Sequence, residues 1–262
     1  SGCGCYEKRF SVDKLDPQDC YILIFDGVYM DTTVYVNGKA VGEWKYGYTS
    51  FSFDITDSLI EGDNRILVRV NHKAPNTRWY SGAGIYRNVW LRKTSRNHIV
   101  QDGIYINARP NDSDHREQGK WKVIIQTELS MQTCGTLAFD VTDPTGCETY
   151  SCERRVCGKS DKLVFYIDGP KLWDIITPDL YSLSVALYAE DGTQYDSVQT
   201  KFGFRTTKFD PKEGFLLNGI RVKLNGVCMH HDLGALGAAV NYDATYRQLS
   251  KMKEMGVNAI RT

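Results

Sequence analysis

Up to about residue 205 the apolar and polar positions change in short runs with almost no helical period. "TSFSFDI" (49–55) alternates polar and aromatic residues, the pattern of a strand with one buried and one wet face. "TTVYVNGKAVGEW" (32–44) sets β-formers on either side of Asn37-Gly38, a pair that tolerates the positive φ of a two-residue hairpin turn. "YILIFDG" (21–27), "NRILVRV" (64–70) and "YRNVWLRK" (86–93) read as further strands. Five or more strands joined by turns predict a β-sandwich or jelly roll over residues 1–95.

Polar character rises over "RKTSRNH" (92–98), and a second series of strands follows. It comprises "GIYINA" (103–108), "WKVIIQTEL" (121–129), "TLAFDVTD" (136–143), "LVFYID" (163–168), "YSLSVALYAEDGTQYDS" (181–197) and "VQTKFGF" (198–204). "NDSDHREQGK" (111–120) is a charged loop, and Asp191-Gly192 marks a tight hairpin. About seven strands in this length fit an immunoglobulin-like sandwich over 96–205, without the Cys…Trp…Cys hallmark of antibody domains.

From residue 206 the period changes. An Asn218-Gly219 hairpin leads into a strand expected over Val222 to Val227, then the Gly/Ala-rich loop "HHDLGALGAA". In "NYDATYRQLSKMKEMG", Tyr242, Tyr246, Leu249 and Met252 recur at helical spacing, with Met255 near the same face. Asn241 is the expected N-cap and Gly256 the C′ stop. "VNAIR" (257–261) follows as a strand. Strand, helix, strand makes one βαβ unit over 206–262. Parallel strands need cover on both faces, so this unit is expected to open a larger α/β domain. Until then it should hide its open edges against the second sandwich or a neighbouring chain. The fold expected is mainly β, with this α/β tail.

Composition narrows the function classes. The 262 residues carry 32 basic and 32 acidic side chains and no net charge, which excludes the basic excess of a nucleic-acid binder or an anionic-membrane surface. No apolar run reaches membrane-span length. The eight cysteines lack zinc-ribbon CxxC pairs. They are expected to be reduced thiols in a cytoplasmic protein, with Cys147, Cys152 and Cys157 on one hairpin that lacks a fourth zinc ligand. No metal and no cofactor are expected.

The remaining chemistry is concentrated in "GVCMHHDLGALGAA" (226–239). Neighbouring side chains of an extended chain point to opposite faces, so adjacent His230 and His231 are poor co-ligands for one metal, whereas His230 and Asp232 can point together. They lie just past the C-terminal end of a parallel strand, where α/β sheets and barrels place ligand sites, and Arg261 ends the next strand. "GALGAA" matches neither GxxxxGK[ST] nor GxGxxG. An Asp that accepts, an Arg that donates and a His that does either suit a polyhydroxylated ligand. The plainer alternative is that His230 and Asp232 only satisfy loop backbone groups, which is the reading favoured for His231.

"VYVNGKAVGEWKYGYTSFSFDIT", "RWYSGAGIYRNVWL", "KFGFRTTKFD", "GFLLNGIRVKLNGVCMHHDLGALGAA" and "KEMGVNAIRT" together resemble glycoside hydrolase family 2, nearest its bacterial β-galactosidases. The resemblance implies a jelly-roll sugar-binding domain, an immunoglobulin-like sandwich and the first βαβ unit of a truncated (β/α)8 TIM barrel. His230 matches the family's sugar-contacting loop histidine, and Arg261 the arginine ending barrel strand two. Asp232 falls at a variable position. Arg78 stands where several relatives place an aspartate reaching the active site, and Trp79 or Tyr80 is a sugar platform; the alternative makes Trp79, Tyr80 and Tyr86 structural aromatics. Arg87 and Trp90 read as structural. The implied activity is retaining hydrolysis of terminal β-galactosides by two glutamates on later barrel strands, so this chain carries no catalytic residue and is expected to be inactive alone. The alternatives are a β-glucuronidase, a non-catalytic carbohydrate-binding module or an adhesion scaffold. The expected partner is a β-galactoside, with homo-oligomerisation left open.

Overall fold

The computed structural model describes residues 2–76, 81–111, 119–230 and 232–262. It divides into two compact units, one of residues 1–94 with 225–262 and the other of residues 95–224.

In the first unit the early strands are β1 (Gly2–Val12), β2 (Asp19–Phe25), β3 (Val28–Tyr29), β4 (Thr32–Val36), β5 (Lys39–Trp44), β6 (Phe51–Asp54), β7 (Gly62–His72), β8 (Gly84–Ile85) and β9 (Val89–Ser95). They form an antiparallel sheet in the order β1-β7-β4-β5, a second in the order β6-β2-β9, and the short pair β3-β8. Inward residues of both larger sheets, among them Leu23, Phe25, Val34, Ile66, Val68 and Phe51, share one core. Each large apolar side chain so buried stabilises by roughly 1.5–3 kcal/mol. The Asn37-Gly38 hairpin is present, with φ of 50° and 84°. Asn37 Nδ2 donates to the buried Asn64 Oδ1 at 2.8 Å, and Asn64 Nδ2 donates to Ile60 O and Gly62 O. The buried amide is thereby satisfied and fixes two turns at once.

In the second unit β10 (Ile99–Pro110), β11 (Lys120–Thr142), β12 (Thr149–Asp168), β13 (Tyr181–Tyr188) and β14 (Gln194–Phe202) form one antiparallel ladder. The expected strands 136–143 and 121–129 are two halves of the 23-residue β11. Its first half pairs β10 and its second half β13, while β12 follows it along both; the β11–β12 register shifts between Glu128 and Thr133. The halves line one core that includes Trp121, Ile125, Phe139, Val185 and Phe204. Three short strands, β15 (Thr207–Asp210), β16 (Gly214–Leu217) and β17 (Ile220–Arg221), close this unit as two hairpins. Asn218 Nδ2 donates to Trp173 O at 3.1 Å and fastens them to it.

The expected hairpin of Cys147, Cys152 and Cys157 exists, but the thiols are not all reduced. Cys157 pairs directly with Cys134 across β11–β12 and forms a disulfide with it. Spacing within one sequence run cannot reveal such a partner, because the ladder register selects it. Among the described residues, no group of three or more His, Cys, Asp or Glu could hold a metal. No described helix is long and apolar enough to cross a membrane.

The tail is a βαβ unit: β18 (Gly226–Cys228), α1 (Tyr242–Glu254) and β19 (Ala259–Arg261), with β18 and β19 parallel. The strand expected over 222–227 is shorter and later than its apolar pattern implies. Asn241 caps α1 by accepting from Ala244 N at 3.0 Å, and Gly256 beyond it has φ 83°. The segment 206–262, expected to pack against the second sandwich or a neighbouring chain, divides between the two units. Residues 225–262 group with residues 1–94, and only the hairpins before them group with the second unit.

Candidate functional site

The parallel pair sets the frame. Cys228 stands opposite Arg261, and Met229 N donates to Arg261 O at 2.9 Å, which extends the ladder by one bond. His230 lies two residues beyond Cys228, past the end of β18, where the chain turns as Asp232 N donates to His230 O. His230 and Arg261 are both exposed residues at the C-terminal end of the pair.

Asp232 is exposed and has a local role. Its backbone N–H donates to His230 O, and its Oδ1 accepts from Gly234 N, both at 2.9 Å. Leu233 N then donates to Gly237 O, and Gly237, at φ 59°, turns the chain back. One carboxylate oxygen thus shapes the loop that follows His230, as the plainer reading held. Arg78 and Trp79, with Tyr80 and His231, lie outside the described residues.

The loop is tied to the first sandwich. Val240 N donates to Tyr86 O, and Tyr86 Oη donates to Gly47 O, each at 2.8 Å. Ala238 is buried, and a side chain at Gly82 would coincide with its Cβ, so the two backbones touch there. Around Gly47 sits an aromatic group that the strand pattern left unassigned. Tyr29 packs edge-on to Tyr48 (centroids 5.2 Å) and near His72 (5.7 Å), and Tyr48 packs edge-on to Tyr46 (5.8 Å). Tyr29 Oη donates to Asn76 Oδ1 at 2.8 Å. Burial, reinforced by Tyr29, pushes the Tyr48 phenol up, and burial does the same at Tyr86. Both phenols therefore stay neutral hydrogen-bonding groups at physiological pH. The only hint in the sequence was the aromatic density of "KYGYTS" (45–50).

Arg87 and Trp90 have structural partners: Arg87 lies over the Tyr86 ring and donates to Asp26 O, and Trp90 Nε1 donates to Asp26 Oδ2 at 2.9 Å. A cleft of about 440 Å³ lined by Tyr6, Phe10, Trp90 and Leu91 contains none of the expected site residues. His230, Arg261 and the loop backbone offer donors and acceptors at the C-terminal end of the parallel pair, and the tyrosine cluster belongs to the same unit. This set can hydrogen-bond neutral hydroxyls and contact an apolar ring face.

Comparison with known proteins gives two adjoining family matches. Residues 1–95 match the sugar-binding domain of family 2 glycosyl hydrolases, and residues 98–205 match the domain described as glycosyl hydrolases family 2. The chain is 42% identical to the β-galactosidase BoGH2A of Bacteroides ovatus, over 99% of this chain and 31% of that protein. It is 33% identical to a β-glucuronidase of Bacteroides fragilis, over 99% of this chain and 39% of that one. A crystallised β-glycosidase of Bacteroides vulgatus superposes with a TM-score of 0.89 at 34% identity, over all of this chain and 33% of that one. The chain thus spans about a third of the length of these relatives.

Proposed function

The chain belongs to glycoside hydrolase family 2, and from that premise we propose that it is part of a retaining β-glycosidase that hydrolyses terminal β-galactosides. The observation that carries this reading is the parallel β18–α1–β19 unit, with Arg261 the last residue of β19 and His230 two residues past β18. Ligand sites of (β/α)8 barrels occupy that end of the strands. In this reading residues 1–95 are a jelly-roll sugar-binding domain, 96–205 an immunoglobulin-like domain, and 206–262 the start of the barrel. His230 and Arg261 hold sugar hydroxyls, Asp232 shapes the loop that presents His230, and Arg78 and Trp79 border the same pocket from the first domain. The two carboxylates that would serve as acid/base and nucleophile belong to later barrel strands.

The 42% identity to a β-galactosidase favours galactosides. The B. fragilis relative supports β-glucuronides as the second reading. A glucuronide requires a cationic pocket for its carboxylate, and later barrel residues would have to supply it.

Two measurements test this. The 262-residue chain should not turn over a chromogenic β-galactoside, and turnover above background would place a complete catalytic apparatus within it. In a version extended through the whole barrel, His230→Ala and Arg261→Ala should each lower kcat/KM for the β-galactoside about 100-fold, the order expected when a transition-state hydrogen bond is lost. Unchanged kcat/KM in both variants would refute the sugar-holding roles, and a preference for the β-glucuronide would select the second reading.

A further inference from the structure

The loop that follows β18 is held at its two ends by different elements. At the near end Met229 N donates to Arg261 O, so the loop departs from the parallel pair with His230 as its first turn residue. Along its length it bonds to itself. Asp232 N donates to His230 O, Gly234 N to Asp232 Oδ1, Leu233 N to Gly237 O and Ala239 N to Leu236 O, at 2.9 to 3.2 Å. A segment cross-linked this closely passes a displacement from one end to the other.

The far end rests on the first sandwich, within the same unit. Val240 N donates to Tyr86 O at 2.8 Å, and Ala238 stands where a side chain at Gly82 would lie. Ala238 is the only buried residue among the described residues of 225–262, so the tail is fixed most firmly at this end of the loop.

Tyr86 is itself fixed from several directions. It is 5% exposed, its N–H donates to Gly27 O at 3.3 Å, and a side chain at Gly27 would strike its ring at 2.7 Å. Phenylalanine would fill that volume equally well, so packing alone does not call for the hydroxyl. What the hydroxyl adds is a buried bond to Gly47 O at 2.8 Å. One residue thus grips the 45–50 turn with its side chain and the 230–240 loop with its backbone carbonyl.

We propose that Tyr86 is a positioning residue for the sugar site: it sets where the 230–240 loop stands on the first sandwich and, through the loop, where His230 meets the sugar. This rests on the sugar-holding role given to His230 above. The Arg261 side chain projects from β19 rather than from the loop, so its contact lies outside this control.

The test is a pair of double-mutant cycles in the version extended through the whole barrel. Tyr86→Phe should lower kcat/KM for the chromogenic β-galactoside about 10-fold, the scale of a contact misplaced rather than lost. In a His230→Ala background the same substitution should cost nothing further, because the contact it misplaces is already gone. In an Arg261→Ala background it should still cost about 10-fold, as independent sites do. A merely structural role would lower all three forms alike. Gly82→Ala displaces the loop at Ala238 without touching the phenol and should give the same pattern, and it carries the test if Tyr86→Phe does not fold. Circular dichroism checks that each variant compared is folded. Equal losses in all three backgrounds, or no loss from either single substitution while His230→Ala does lower kcat/KM, would overturn the proposal alone. No effect of His230→Ala itself would overturn the sugar-holding role, and this proposal with it.

Discussion

Asp143 sits at the β11–β12 turn with its side chain only 8% exposed. Its Oδ2 accepts from Thr145 Oγ1 at 2.6 Å, and its Oδ1 accepts from the N–H groups of Cys147 and Glu148 at 2.9 and 3.1 Å. The Thr145 hydroxyl first, and then these amides, hold its carboxyl far below the ordinary 3.8. Backbone N–H donors lower Asp174, Asp191 and Asp210 in the same way, and all four belong to the second unit. A carboxyl depressed in the folded state stabilises above its unfolded pKa and loses that contribution as pH falls through its folded value. The second unit should therefore lose thermal stability progressively below about pH 4. Asp143→Asn should lower its midpoint at neutral pH, and the gap to the unmodified protein should close in acid. Calorimetry across that range checks this, and a gap independent of pH would contradict it. Asn37-Gly38 and Asn241 could be read from sequence because each role depends on its immediate neighbours. The parallel pairing that ends at Arg261 was legible in the βαβ order of the tail. Asp232 could be read two ways, because an Asx turn and a ligand contact need the same residue type.

At the scale of elements, strand existence was legible and strand pairing was not. Alternation marked 121–129 and 136–143 as strands, but nothing local showed that they are one strand crossing a register shift. That shift sets Cys134 opposite Cys157 and makes their disulfide possible. The bridge closes a loop over a sequence separation of 23. In the chain-entropy account, a loop of this size stabilises by about 3 kcal/mol. Reduction should thus lower the urea midpoint of the second unit. A Cys134→Ser/Cys157→Ser variant should show the lowered midpoint with and without reductant. If reductant leaves the parent chain's midpoint unmoved, the bridge contributes nothing to folding.

Across the whole molecule, the tail is where local signals and packing diverge. Its helix has the caps and spacing the sequence promised, yet α1 buries no residue, and Tyr242, Tyr246 and Met255 are 80, 64 and 78% exposed. Apolar periodicity predicts that a stripe exists; what covers it depends on surfaces elsewhere in the fold. A helix and two short parallel strands with so little buried surface cannot draw much stability from their own packing. Their hold within the first unit includes Val240 N to Tyr86 O and Ala238 against Gly82. Amides of α1 and β19 should accordingly exchange with deuterium faster than those of β4 and β7, through a local opening that leaves the sandwich closed. Gly82→Ala places a methyl where Ala238 already sits, and neither that short side chain nor its backbone can swing aside. Exchange over 234–261 should then accelerate further, while β4 and β7 keep their protection. Loss of protection in all of these strands together would mean that the tail and the sandwich open as one cooperative unit. Unchanged exchange in the tail would mean that the Gly82–Ala238 contact does not secure it.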